Sequence, residues 1–381
     1  MNLDVIKKAQ NVFNITDNME TYFSPGRVNL IGEHIDYNGG YVLPCALDIG
    51  TIGVASVRSD NIIACYSENF SELGVITFSL DNLVYDEKDN WTNYVKGVVK
   101  EMGLTKGFNL YVKGDIPNGS GLSSSASLEL LVGIVANNLF NLSYSNLELV
   151  KISHKSENEF IGVKCGIMDQ FIIGMAQEKS GILLNTASLD FHYVRIDLQD
   201  YLIVIGNTNK KRTLASSKYN ERREECEQGL KMMQQRFAIN DLCSLTYEQF
   251  LDNQDLITDE VILKRVRHVV SENERTKKAY TALQSNNLIE FGKLMNQSHN
   301  SLRDDYEVTG LELDTLQSLF LEYGAIGTRM TGAGFGGCTI ALVKKEQVND
   351  IIEKVKVGYD KITNLNAYFY LVNIGNGVRK L

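Results

Sequence analysis

The chain has 381 residues, enough for two domains with a buried core in each. Its 38 basic and 47 acidic residues leave a net charge of −9 with no long basic run, which argues against a nucleic-acid or acidic-membrane surface. With 44% hydrophobic and 22% charged residues, no apolar run approaching a membrane span, no secretory h-region in MNLDVIKKAQNVF and six scattered cysteines without CxxC or zinc spacing, a soluble cytoplasmic protein with reduced thiols is expected.

Residues 4–13 read as a short helix with Val5, Ile6, Ala9 and Phe13 on one face. A glycine-punctuated segment follows, Phe23 to Gly40, where Arg27, Glu33, His34 and Asp36 crowd beside the apolar Val28, Leu30 and Ile31. Two of the chain's three prolines, Pro25 and Pro44, flank it, so rigid turns sit where groups must be positioned. A solvated loop would also carry such charges. Held by tight turns, though, two carboxylates and an imidazole supply the acceptors and donors that a sugar or polyol needs. Leu47 to Val57 and Asn61 to Ser67 read as strands, and the only tryptophan, Trp91, as part of a helix.

Phe108, Leu110 and Val112 alternate with Asn109, Tyr111 and Lys113, the period of a strand with one buried face. Pro117 ends it, Asn118 to Gly121 turn, and Ser123, Ser124 and Ser125 stand where a helix begins; Leu128, Leu131, Val132, Val135 and Leu139 continue it. The first amides of a helix lack internal partners and carry the positive end of its dipole, so strand, glycine turn and hydroxyl-rich helix start make a phosphate cradle. A serine cap after an ordinary loop would read the same way.

Ser145-Asn-Leu-Glu148 is a capping box opening a helix to about Ile161. Glu157 shares a face with Val150, Phe160 and Ile161, whereas Glu159 falls four residues after Lys155 as a surface pair. An inward carboxylate needs a partner, and Mg²⁺ would serve. Asp169, in CGIMDQ before Phe171-Ile-Ile, is either a helix cap or a catalytic carboxylate. Tyr201 to Ile205 is a buried strand, followed by a long helix through Phe237 that opens with Tyr219, Arg222 and Arg223. Further helices at 260–300 share a core stripe of Leu288, Phe291, Leu294, Met295 and Leu302. Gly332, Gly334 and Gly337 match the dinucleotide fingerprint in spacing, but a β-branched strand follows instead of a helix. At the serine loop Ser124 replaces the third glycine, and no GxxxxGK[ST] occurs anywhere. The dinucleotide fingerprint thus fails its context test, which leaves a dehydrogenase a distant third reading, and a P-loop fold is excluded as the phosphate site.

GRVNLIGEHIDYNGG at 26–40, GSGLSSSAS at 119–127 and MTGAGFGGCTI at 330–340 resemble, in order, motifs of the galactokinases in the GHMP kinase superfamily; CGIMDQF, SSKYNERREEC and RHVVSENERT at 267–276 are also similar. The resemblance implies an α/β (α+β) fold of two GHMP domains, 1–187 and 188–381, with the active site in the cleft between them. It implies transfer of the ATP γ-phosphoryl group to the C1 hydroxyl of α-D-galactose, with Mg²⁺ as cofactor. Asp169 matches the family's base and Arg27 its electrostatic partner; Glu33, His34, Ile35, Asp36 and Tyr219 match the sugar site. Ser67 and Trp91 match the surroundings of the nucleotide pocket; Gly119, Ser120, Gly121, Leu122, Ser123, Ser124 and Ser125 match the ATP phosphate loop; Ser125 and Glu157 match the metal ligands. One departure is Ile35, where the family carries threonine, so a hydroxyl is lost. A kinase of a related hexose such as N-acetylgalactosamine, or a galactose- and ATP-binding sensor, stands as the alternative. A monomer is expected.

Overall fold

The computed structural model describes residues 2–16, 19–116, 121–210 and 215–381. In chain order it forms α1 (Asn2–Phe13), β1 (Glu20–Asn29), β2 (Tyr41–Val42), β3 (Pro44–Val57), β4 (Ile62–Ser67), β5 (Ile76–Ser79), α2 (Thr92–Glu101) and β6 (Phe108–Gly114). Then come α3 (Ser124–Leu139), α4 (Asn146–Lys155), α5 (Met168–Met175), β7 (Ser180–Asn185), β8 (Phe191–Arg195), β9 (Tyr201–Asn207) and α6 (Ala215–Met233). The chain closes with α7 (Tyr247–Leu251), α8 (Glu260–Gln284), α9 (Leu288–Asp304), α10 (Leu311–Glu322), β10 (Gly327–Thr331), β11 (Cys338–Lys344), α11 (Val348–Thr363), β12 (Tyr368–Val372) and β13 (Arg379–Lys380).

The first sheet has the order β13-β1-β3-β6-β4-β5, antiparallel except where β4 runs parallel to β6. Its inner face is covered by α3, whose residues from Ala126 to Val132 are all buried, as an apolar-sided helix must be. Gly53 on β3 makes room for it, since a Cβ there would lie 2.9 Å from Leu131. Between β1 and β3 the register slips between Pro25 and Arg27. Proline offers no amide to the ladder, so this bulge bends the strand just before Arg27, which resumes the pairing opposite Ala46.

A second sheet, β10-β11-β9-β12, is antiparallel throughout and carries α10 and α11 on one side. Its other side faces α9, whose predicted stripe of Leu288, Phe291, Leu294, Met295 and Leu302 is buried. Helix and strand meet closely because Gly292 faces Gly327; a Cβ on Gly327 would sit 2.4 Å from the Gly292 Cα. A three-stranded sheet, β2-β7-β8, ties the parts together. Residue 187 falls in the turn between β7 and β8, and the chain end returns as β13 to pair with β1.

Three local expectations are corrected. The helix through Ile161 is α-helical only to Lys155 and then winds as a π-helix over Ser156–Ile161. The wider turn shifts the phase, so Glu157 is buried as expected but Phe160 and Ile161 are only half-buried. The Lys155–Glu159 pair forms at 3.8 Å. Trp91 precedes its helix as N-cap, and the long helix from 215 ends at Met233, short of Phe237.

Candidate active site

The site is built around one ion pair, which lines the first of two cavities. Arg27, on β1 just past the bulge, grips Asp169 through two nitrogens of its guanidinium: Nε donates to Oδ1 at 2.8 Å and Nη2 to Oδ2 at 2.7 Å. Its third nitrogen, Nη1, donates to the Gly121 carbonyl at 2.6 Å. The Ser123 hydroxyl also donates to Asp169 Oδ2. Asp169 lies in the first turn of α5, but the N-cap there is Ile167 with no side-chain cap bond. The capping reading of Asp169 is therefore wrong, and the carboxylate is instead held by a buried guanidinium. The bland reading of the serines fares no better: Ser123 stands at the N-cap of α3 in the left-handed region (φ 61°) and caps nothing.

On one side of this pair lies a cavity of about 520 Å³ lined by Arg27, Glu33, His34, Asp36, Asp169 and Tyr219, together with Tyr37, Cys165, Gly166, Arg223 and Ala333. Six of the predicted residues thus converge. Ile35 does not: its side chain is fully buried in the core, and its carbonyl receives the amides of Asn38 and Gly40 to close the turn. Isoleucine is suited to that buried place.

The acids here are wired from far away in the chain. Glu33 Oε2 accepts from Arg329 Nη2 at 3.0 Å, and Arg329 Nη1 donates to the Asn29 carbonyl at 2.8 Å. Burial pushes the Glu33 carboxyl up to about 7, against the pull of Arg329 and Arg27. Asp36 is pushed up to about 6 by burial and by the charge of Asp169. The backbone ahead of Glu33 is held by Glu272, which accepts from the Gly32 amide at 3.0 Å and the Ser298 hydroxyl at 2.6 Å. Burial would raise Glu272, but the Arg275 guanidinium and its neighbours outweigh it and hold it at about 2. Gly166 presses its bare Cα on Asp36: a Cβ there would stand 1.9 Å from Oδ2. Arg222, by contrast, points away from the cavity and binds Glu225 and the Tyr306 carbonyl.

A second cavity of about 550 Å³ is lined by Ser67, Asn69, Tyr85, Trp91, Tyr94, Ser124 and Ser125 among others. Trp91 both belongs to the core and walls this cavity. Leu122 contributes main chain only, its side chain being buried and its carbonyl accepting the Arg27 amide at 3.3 Å. Gly121 has φ 79°, and Gly332 of the last glycine segment rests on its carbonyl, 3.0 Å from where a Cβ would be. Gly119 and Ser120, with Pro117, lie outside the described residues.

Glu157 sits between the cavities, hydrogen-bonded by Ser125 and by Cys165 Sγ at 3.5 Å. Gln170 Nε2 donates both to Glu157 Oε2 and, at 3.3 Å, to Oε2 of the fully buried Glu129. Burial raises both carboxyls, and each lies near another negative group: Glu157 for Glu129, Asp169 for Glu157. Glu129 Oε1 and Gln170 Oε1 lack protein partners. Among the described residues no three His, Cys, Asp or Glu side chains converge as a metal cage. A hydroxyl and a carboxylate touching beside buried, unsatisfied oxygens do fit a hard cation that takes few protein ligands and completes its shell with phosphate and water.

Glu129, Gln170, Glu272 and Arg329 were not singled out from sequence. Each left a trace: a carboxylate one turn after Ser125 in an apolar helix, a glutamine beside Asp169, an acid in RHVVSENERT, and a cation inside the buried strand Gly327–Thr331.

Comparison with known proteins agrees with this geometry. Residues 93–177 match the GHMP kinases N terminal domain, residues 10–57 the galactokinase galactose-binding signature and residues 279–360 the GHMP kinases C terminal family. The chain is 54% identical to the galactokinase of Clostridium acetobutylicum over 98% of each chain, and 51% identical to that of Staphylococcus saprophyticus, again over 98% of each. It superposes on the crystal structure of Lactococcus lactis galactokinase complexed with galactose with a TM-score of 0.97, at 50% identity and full coverage of both chains. The Methanococcus jannaschii mevalonate kinase, 19% identical, shares the fold with a TM-score of 0.65 over 95% of this chain and 100% of its own.

Proposed function

The chain belongs to the galactokinases, which transfer the γ-phosphoryl group of ATP to the C1 hydroxyl of α-D-galactose, and from that premise we propose how its own residues do so. The single observation that carries the reading is the Arg27–Asp169 pair in the wall of the first cavity, joined by Ser123, whose neighbours Ser124 and Ser125 line the second. Galactose occupies the acid- and tyrosine-lined cavity, with Glu33, Asp36 and Tyr219 meeting its hydroxyls and His34 in contact with it as part of the wall. Ile35 serves by holding the turn. ATP enters the cavity walled by Trp91 and Ser67, its phosphates on the loop from Gly119 through Ser120, Gly121, Leu122, Ser123 and Ser124 to Ser125.

Phosphoryl transfer asks a protein for positioning and charge stabilisation more than for covalent chemistry. Asp169, fixed from one side by Arg27 and Ser123, keeps lone pairs on its oxygens for the C1 hydroxyl. As the C1 oxygen attacks the γ-phosphorus and the bond to the β,γ-bridging oxygen breaks, the hydroxyl proton passes to Asp169. Arg27 keeps its positive charge beside both groups and offsets the charge that develops. Ser125 and Glu157 would hold Mg²⁺, which would neutralise the phosphates. Gln170 keeps the Glu157 carboxylate aimed.

We read the enzyme as a cytoplasmic monomer of two units that divide near residue 187. The test is ADP release with Mg-ATP and galactose, glucose, N-acetylgalactosamine, mevalonate or homoserine as acceptor. Turnover with galactose alone is expected. Binding of galactose and ATP without ADP release would make the protein a sensor, and preference for N-acetylgalactosamine would point to a wider pocket at residues 33–37.

A further inference from the structure

His34 is a sugar-cavity side chain whose donor and acceptor are both committed before any sugar arrives. Its Nε2 lies 3.1 Å from the Ala333 carbonyl and its Nδ1 2.8 Å from the Tyr37 hydroxyl. Beyond it Tyr37 Oη lies 2.9 Å from Tyr306 Oη, and Tyr306 Oη 3.1 Å from Cys226 Sγ. The direction of every bond in this row follows from its first member. A carbonyl only accepts, so Nε2 carries the proton and Nδ1 is bare. Tyr37 therefore donates to Nδ1, Tyr306 donates to Tyr37, and the Cys226 thiol donates to Tyr306. Burial pushes His34 down to about 3 and His268, the other imidazole against Tyr306, down to about 4, so neither competes by taking a second proton.

Four separated segments contribute: the sugar signature, α6 with Cys226, the turn after α9 with Tyr306, and the last glycine segment with Ala333. His34 itself is held at φ 62°, in the left-handed region that few residues other than glycine adopt. Its carbonyl is fixed by Asn38 Nδ2 at 3.0 Å. Tyr306 is fully buried and is not among the residues lining the cavity, yet its ring lies 4.9 Å from the His34 ring. Its main chain is anchored by Arg222 Nε, 2.8 Å from the carbonyl. Nothing in this row moves without another member moving.

We propose that Tyr306, acting through Tyr37, is a positioning residue that holds His34 as the single Nε2–H tautomer in one ring orientation, so that the sugar meets a wall already set. This rests on reading the cavity as the galactose site. A consequence is that His34 presents no free N–H to the sugar and contributes by shape and by its ring.

The test is nitrogen NMR on protein labelled with ¹⁵N-histidine, whose five histidines can be distinguished by substitution. The sugar-free wild type should show His34 protonated at Nε2, with an Nδ1 resonance displaced by an accepted hydrogen bond. In Tyr306→Phe, which keeps the ring contacts, that resonance should move toward an unbonded pyridine-like nitrogen; galactose KM should rise about fivefold, with kcat and the ATP KM within about twofold. Tyr37→Phe should shift both readouts further, and carries the test if Tyr306→Phe does not fold. A wild-type Nδ1–H tautomer, or variants with unaltered resonance and KM, would overturn the proposal. The resonances need no sugar, so turnover of a different sugar would remove the galactose assignment and leave the tautomer measurement decisive; KM is then read with that sugar.

Discussion

The two cavities are built on opposite plans. In the sugar cavity the carboxylates, guanidiniums and imidazole have partners in place: Glu33 on Arg329, Asp169 on Arg27, His34 between Ala333 and Tyr37. On the phosphate side Ser124 is exposed, Ser125 half-exposed, and the buried oxygens of Glu129 and Gln170 stand without protein partners. The difference matches what each side must recognise. Sugars differing at one hydroxyl are separated by groups that cannot turn to suit the wrong isomer, because an unmade buried hydrogen bond is costly. A triphosphate with its cation brings its own charges and waters, so its cradle need only offer donors and a carboxylate.

Asp169→Ala strikes the ion pair and should have the largest effect, a fall in kcat of about 10³-fold in the coupled ADP assay. It also strands Arg27, buried to 5% exposure, beside an empty space. A variant keeping more than a tenth of wild-type kcat would remove Asp169 from the chemistry. Gly166→Ala should break the sugar side alone. The new methyl would land 1.9 Å from Asp36 Oδ2, so that the carboxylate must rotate away. Galactose KM is expected to rise about 10²-fold, as two hydrogen bonds to a charged group would dictate, with ATP KM unchanged. An equal rise in both constants would mean that the two cavities are not separable.

Glu129→Gln is the matching probe of the phosphate side. Glu129 reaches the proposed cation only through Gln170, which donates to both Glu129 and Glu157. A glutamine of the same shape can turn its own N–H₂ toward Gln170 Nε2 and spoil that shared donation. The Mg²⁺ concentration for half-maximal rate should rise about tenfold, the low end for loss of a group behind a metal ligand. Galactose KM should not change, and the melting temperature should stay within about 2 °C. An unaltered Mg²⁺ dependence would leave Glu129 a buried acid of the core and nothing more.

How much of this was legible depended on how local the signal was. The serine helix, the inward Glu157 and the crowded signature at 27–36 rest on spacings of a few residues, and the structure keeps each of them. The partners that aim those groups are remote: Arg329 is 296 residues from Glu33 and Tyr306 is 269 from Tyr37. No periodicity reports such pairs. Asp169 shows the limit in a single residue. An aspartate at a helix start fits a cap on local grounds, and only the folded chain brings Arg27, 142 residues away, to displace that reading. The π-turn at 156–161 was also invisible, since it depends on Gly97 letting Ser156 and Phe160 approach α2; a Cβ there would be 2.2 Å from Ser156 Oγ.

The smallest expected effect tests the wiring of the sugar side through pH. Glu33 and Asp36 have ordinary values of 4.5 and 3.8 and are pushed up to about 7 and about 6 in the fold. The folded chain therefore holds these protons more tightly than the unfolded chain does. That contribution to stability is fully present below about pH 4 and is lost as pH rises through about 6 and 7. Paired acids act in the opposite sense and elsewhere: Glu272, held at about 2, adds stability above its ordinary value of 4.5 and loses it as pH falls toward 2. The two windows are separate, so a melting curve can tell them apart. Between pH 5 and 8 the sugar-free wild type should lose about 2–5 °C that Glu33→Gln, fixed in the uncharged form, does not lose. Parallel curves for the two proteins would mean that Arg329 neutralises Glu33 outright, and that the sugar wall carries its charge at no cost to the fold.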